Sequence, residues 1–178
     1  DEVIFDLVCY TLSSASVDTV APYRDYFKKI LAHSVHQFRE LINCVIIPVS
    51  IVEGHPLGAE LLDEVLREFN SSAERDIWWS IPGYLRDNYN AEWRANSEIN
   101  FEDITLRGDD TSKTSPLILA WSLSSVNNEI RRRSRMELIT WGINHSDEFW
   151  NLFVRMAGLD DEQISEDIFA VAYGIALD

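Results

Sequence analysis

The chain has 178 residues, enough for one domain or for one segment of a longer array. Apolar residues make up 46% and aromatics 11%, with six Trp, so a sizeable core is expected and a disordered chain is excluded. Thirty acidic residues against 15 basic ones give a net charge of −15, which argues against general affinity for nucleic-acid phosphates.

Residues 2–12 (EVIFDLVCYTL) predict a helix buried on most sides, followed by a loop over 13–22. The longest predicted helix runs from Tyr23 to Val45. Its stripe of Tyr26, Phe27, Ile30, Leu31, Ser34, Val35, Phe38, Leu41, Ile42 and Val45 follows the helical period. Residues 45–52 (VIIPVSIV) are β-branched, but Pro48 and the lack of a partner run favour a buried helix end or extended linker over a strand. Gly54-His55-Pro56 is expected to start a helix with Leu57, Leu61, Val65 and Phe69 on one face. Ser71 and Glu74 form a capping box opening a shorter helix through Trp79, which Pro82-Gly83 ends. Residues 84–114 are polar and irregular, closing in the exposed loop GDDTSKTS.

The most regular stretch is 115–141, SPLILAWSLSSVNNEIRRRSRMELITW. Ser115 is a candidate N-cap with Pro116 at the first helical position. Leu117, Ala120, Trp121 and Ser124 then recur at helical spacing. Asn127 can cap a second helix, whose stripe is Ile130, Ser134, Leu138 and Trp141. Both helices read as amphipathic, with Trp121 and Trp141 in the core. Ser146 is expected to cap a helix carrying Phe149, Trp150, Phe153 and Met156, stopped by Gly158. Acidic residues 160–162 suit the start of a last helix, with Ile164, Ile168, Val171 and Ile175 on one face.

These elements predict an all-α fold of antiparallel helix pairs, a HEAT-like or irregular α-solenoid segment with roughly 40 residues per pair. Residues 1–178 are read as a single helical-repeat domain or fragment. A subdivision into 1–53, 54–114 and 115–178 separates N-terminal helices, middle helices with their loop, and C-terminal pairs. The chain opens on Asp1, so an internal piece of a larger protein is expected. Cys9 and Cys44 lie in apolar runs and read as reduced thiols of a cytoplasmic protein. Neither a signal peptide nor an apolar run of the roughly 20 residues that span a bilayer is visible, so no membrane partner is expected.

Three stretches together resemble one family: HPLGAELLDEVL…ERDIWWS (55–80), PLILAWSLSSVNNEIRRRSRMELITW (116–141) and DDEQISEDIFAVAYGIAL (160–177). They resemble the helical-repeat region downstream of the ATPase module in large bacterial STAND-like P-loop proteins associated with phage defence. Glu74-Arg75-Asp76, Trp121, Ser124-Ser125, Asn127, Arg131 and Ala172-Tyr173-Gly174 carry the match. Val126, Asn128 and Arg132 depart from the family's Thr, Arg and Asp. The resemblance implies a scaffold or sensor segment that holds a protein partner or other domains of its parent chain. It brings no catalytic residues across.

No GxxxxGK[ST] is present, so nucleotide hydrolysis by this chain is not expected, and no cofactor is implied. His33, His36 and Glu40 have a spacing that can hold a metal, but no fourth ligand is visible and a solvated helix face explains them as well. Arg131, Arg132, Arg133 and Arg135 form the one basic cluster. Local pairing with Glu129 or Glu137 is the plain reading; a patch for an acidic partner or a nucleic-acid strand is the alternative. Glu74, Arg75 and Asp76 read as a capping box with a buried Arg ion pair rather than as acid–base chemistry. Trp78 and Trp79 point to different sides of their helix, so one of them is a candidate anchor for a partner. A metal or carboxylate hydrolase is the third and weakest alternative.

Overall fold

The computed structural model describes residues 2–31, 38, 41–78 and 115–177. The regular structure among these residues is helical, with no strand, and the fold is all-α. The chain divides into two compact units. The first holds the described residues up to Asn70, and the second holds Ser71 to Trp78 together with Ser115 to Leu177.

In the first unit, α1 spans Glu2–Ser13 and α2 spans Val17–Val20. Leu7 and Val8 of α1 are exposed and Cys9 is buried, so α1 is less enclosed than its composition suggests. A 3₁₀ turn at Ala21–Tyr23 leads into α3, Arg24–Leu31. The long helix expected from Tyr23 therefore begins one residue later, behind Pro22, and Tyr26 of its stripe faces outward while Phe27 and Leu31 face inward. A π-helical turn at Ile42–Ile46 is closed by the Ile47 N–H bonding Ile42 O, and α4 follows at Ile47–Val49. An α-helical turn here would press the Pro48 ring onto the carbonyl of Cys44, four residues back, and the wider turn relieves that collision. Residues 45–49 are thus helical rather than a strand, as Pro48 indicated.

The next helix, α5, spans Ala59–Glu68 and does not begin at Gly54. Residues 54–58 form turns instead. Gly54 takes the left-handed conformation, Pro56 has no N–H to give, and the His55 side chain captures the Leu57 N–H. Phe69 falls just beyond the helix end. Arg24 bonds Glu64 at 2.6 Å and Lys28 pairs with Glu64 and Glu68, tying α3 to α5 above a core of Phe27, Leu31, Leu61 and Val65.

The second unit is built from α6 (Ser72–Trp78), α7 (Pro116–Trp121), a 3₁₀ turn at Ser122–Ser124, α8 (Asn128–Asn144), α9 (Ser146–Ala157) and α10 (Glu162–Ala176). Ser71 Oγ caps α6 by accepting the Glu74 N–H, as the capping box implied. Every residue from Leu117 to Leu123 is buried, so α7 is enclosed on all sides rather than amphipathic. Trp121 is 1% exposed, whereas Trp141 is half-buried and stacks on His145 with ring centroids 5.5 Å apart.

Helices α8 and α10 run in the same direction. Arg131 and Arg135 near the start of α8 reach Asp167 near the start of α10, and Gly142 near the far end of α8 meets Ile175 near the far end of α10. Helix α9 carries the chain back between those ends. The approach is close because each partner offers a glycine: a Cβ on Gly142 would overlap the Ile175 δ-methyl, and one on Gly174 would overlap the Ile139 δ-methyl. His145, not Ser146, occupies the N-cap of α9; a single residue ends α8 and begins α9, which leaves Ser146 already helical.

Candidate interaction surface

The corner before α8 decides where the arginines point. Asn127 Oδ1 accepts the Glu129 N–H at 2.9 Å and starts the helix. Residues 131 and 135 then lie one above the other, and 132 and 133 turn progressively away. The structure divides the cluster along that line. Arg135 Nη1 donates to Asp167 Oδ1 at 2.8 Å, and Arg131 Nε lies 3.5 Å from Asp167 Oδ2. Arg131 also donates to the Ser125 carbonyl at 2.5 Å and to Asn128 Oδ1. Gln163 Nε2 adds a further bond to Asp167 Oδ2. The Asp167 side chain is only 4% exposed, so two guanidinium groups and an amide neutralise and solvate a carboxylate that water does not reach.

Arg132 and Arg133 instead meet Glu129 on the surface, at 2.7 and 2.9 Å. Hydrogen bonds from Arg132 and then Arg133 hold the Glu129 carboxyl down to about 2. Local pairing with Glu129 therefore describes two of the four arginines. The other two serve Asp167, which sequence reasoning missed. The signal was available: Asp167 falls on the Ile164, Ile168, Val171 stripe of α10, and a carboxylate at that phase needs a cation from another helix.

A second buried ion pair joins α6 to the turn before α10. Arg75 donates to the Asp160 carbonyl and lies 3.8 Å from Asp161, whose Oδ1 also accepts the Ile164 N–H at 3.0 Å. The reading of Arg75 as a buried, paired cation matches this geometry. Trp78 is the last residue of α6, and its side chain lies outside the described residues, as do Trp79, His33, His36 and Glu40. Among the described residues no three His, Cys, Asp or Glu side chains converge as a metal site would require. Cys9 is buried and Cys44 half-buried, and the two are not joined in a disulfide. A cavity in the first unit is lined by Phe27, Leu31, Leu41, Val45, Ile46, Leu57 and Leu61, all apolar, and belongs to the core.

His55 has a structural role. Its Nδ1 accepts the Leu57 N–H at 3.2 Å, which requires the neutral ring, and burial pushes its pKa below the ordinary value.

Exposed apolar residues occur on several elements, and on α9 and α10 they include three aromatics. Trp150, Phe169 and Tyr173 are 56%, 58% and 67% exposed, and Val154 is exposed beside them. Of the apolar residues the sequence places on α9, Trp150 faces solvent, because Phe149, Leu152 and Met156 already fill the buried arc. Phe153 bridges the two helices, edge-to-face with Trp150 at 5.1 Å and with Phe169 at 5.0 Å. The result is one continuous aromatic strip on the outer face of the pair. The exposed charged residues of the two helices are Asp147, Glu148, Glu162 and Glu166, of which all but Glu148 share the face of the strip. Among the described residues no helix is long and apolar enough to cross a membrane. No family model, no curated protein and no solved structure matches the chain.

Proposed function

We propose that the chain is a non-catalytic scaffold or sensor segment of stacked helices, belonging to a larger bacterial cytoplasmic protein of the STAND-like ATPase kind and binding a protein partner or another part of its parent. The observation that carries this reading is the aromatic strip on α9 and α10. Exposed apolar residues scattered singly need no explanation, whereas a contiguous run of three aromatics and a valine across two helices marks an interaction surface. The parallel stacking of α8 and α10, with α9 returning between them, is the arrangement by which a helical repeat adds its next layer.

The link to the ATPase family rests on the residues of the resemblance. Several of them hold the second unit together: Arg75 is buried against Asp161, Trp121 is enclosed, Arg131 bonds Asp167 and the Ser125 carbonyl, and Gly174 admits Ile139. A nucleic-acid role for Arg131, Arg132, Arg133 and Arg135 is disfavoured, since carboxylates within the chain already engage all four.

A photo-crosslinking residue in place of Trp150 or Tyr173, introduced in cells, tests the reading. Covalent adducts with protein at those positions, and none with the same probe at exposed Asp18, are expected. Equal yields at all three positions would overturn it.

A further inference from the structure

Resting on the interaction reading above, we propose that the strip of Trp150, Val154, Phe169 and Tyr173 receives an amphipathic helix of a partner protein whose apolar stripe is flanked at both ends by Lys or Arg.

The shape argues for a helix. On α10, residues 162, 166, 169, 173 and 177 follow one another at spacings of three and four and share one face. On α9, Trp150 and Val154 do the same. Two neighbouring rows with helical repeat present ridges and a groove of the kind that a third helix fills. Phe153, edge-on to both Trp150 and Phe169, forms the floor between the rows.

Charge argues for the chemistry of the flanks. Glu162 and Glu166 precede Phe169 and Tyr173 on the same face of α10. Asp147 and Glu148 lie in the first turn of α9. Because α9 returns against the direction of α10, its first turn lies at the far end from Glu162. The aromatic strip therefore carries Glu162 and Glu166 at one end and Asp147 at the other, while Glu148 turns about 160° round the helix from Trp150. The two helix N-termini contribute roughly half a positive unit each, well short of the three carboxylates on that face. Arg155, the cation of α9, is half-buried, and α10 has none.

The same charges exclude other occupants. A second copy would bring acidic ends onto acidic ends in either orientation, between chains of −15 each. An anionic lipid surface would meet the same repulsion. A cationic amphipathic helix satisfies both the apolar strip and its rim.

The test uses two labelled synthetic helices with identical apolar stripes, one flanked by Lys and Arg, the other by Glu, titrated with the purified chain by fluorescence anisotropy. The cationic helix is expected to bind at least about tenfold more tightly than the anionic one, and to weaken as salt rises. Glu162→Lys/Glu166→Lys should reverse the preference, and Phe169→Ser/Tyr173→Ser should abolish binding of both, with melting curves near that of the parent chain. Equal binding of the two helices, or binding of neither, overturns the proposal. So does concentration-dependent self-association lost in Phe169→Ser, or preferential binding to vesicles of anionic phospholipid. If cross-links form at Tyr173 in cells while the cationic helix fails to bind, the partner's chemistry is wrong and the interaction reading stands. Absence of both removes the interaction reading as well.

Discussion

The arginine cluster at the start of α8 and the aromatic strip of α9 and α10 exchange the roles that their compositions suggest. Four near-consecutive arginines in a chain of −15 look like a landing site, yet Asp167 and Glu129 hold all of them within the chain. Trp150, Phe169 and Tyr173 look like core, yet they face water. Residue type alone does not decide the direction a side chain takes. Phase on the helix and the demands of a neighbouring helix decide it.

The sharpest form of this contrast is between two tryptophans. Trp121 is enclosed in α7 and Trp150 is exposed on α9. Trp121→Ala should cost about 4 kcal/mol through lost burial and the cavity left behind, enough to threaten folding of the second unit. Trp150→Ala should change stability by no more than about 0.5 kcal/mol. Urea unfolding of the two variants checks the difference, and similar losses would place Trp150 in the core after all.

The two carboxylates that bind the arginines give the next contrast. Asp167→Ala leaves Arg131 and Arg135 without their buried acceptor. A loss of about 3 kcal/mol is expected, the low end for a broken buried pair because Arg135 keeps partial access to water. Glu129→Ala removes a surface acceptor and should be nearly neutral. Thermal melts that rank the two variants the other way would show the arginines to be organised around Glu129.

A smaller effect distinguishes the units by pH. His55 in the first unit is held neutral, its pKa lowered by burial from the ordinary 6.5. The unfolded chain therefore takes up a proton that the folded chain refuses, and the stability of the first unit should be level above pH 6.5 and fall as the pH drops below it. His55→Asn, whose side chain can also accept the Leu57 N–H, should flatten that slope. An unchanged slope in the variant would assign the effect to other groups.

Much of the fold is legible in the sequence for local reasons. Ser71, Asn127 and Asp161 cap helices through bonds that span two or three residues, and Pro48 argues against a strand by its own chemistry. What the sequence hides is non-local. The turn at residues 54–58 is a local exception: the His55 ring reaches the Leu57 N–H two residues on, and Pro56 gives no cue to it. Asp167 acquires its meaning from arginines 32 and 36 positions earlier on another helix. On α9, Phe149, Trp150, Leu152, Phe153, Val154 and Met156 span too wide an arc for one buried face, so the pattern leaves open which residues remain outside. The expectations at Trp78, Trp79, His33 and His36 fall outside the described residues.

Hydroxyl-radical footprinting of the purified chain, read residue by residue by mass spectrometry, tests the exchange of roles most directly. Trp150, Phe169 and Tyr173 should oxidise rapidly in the folded chain, while Trp121 should oxidise only when the chain unfolds. Protection of Trp150 and Tyr173 to the same degree as Trp121 would contradict the account and return the aromatic strip to the core.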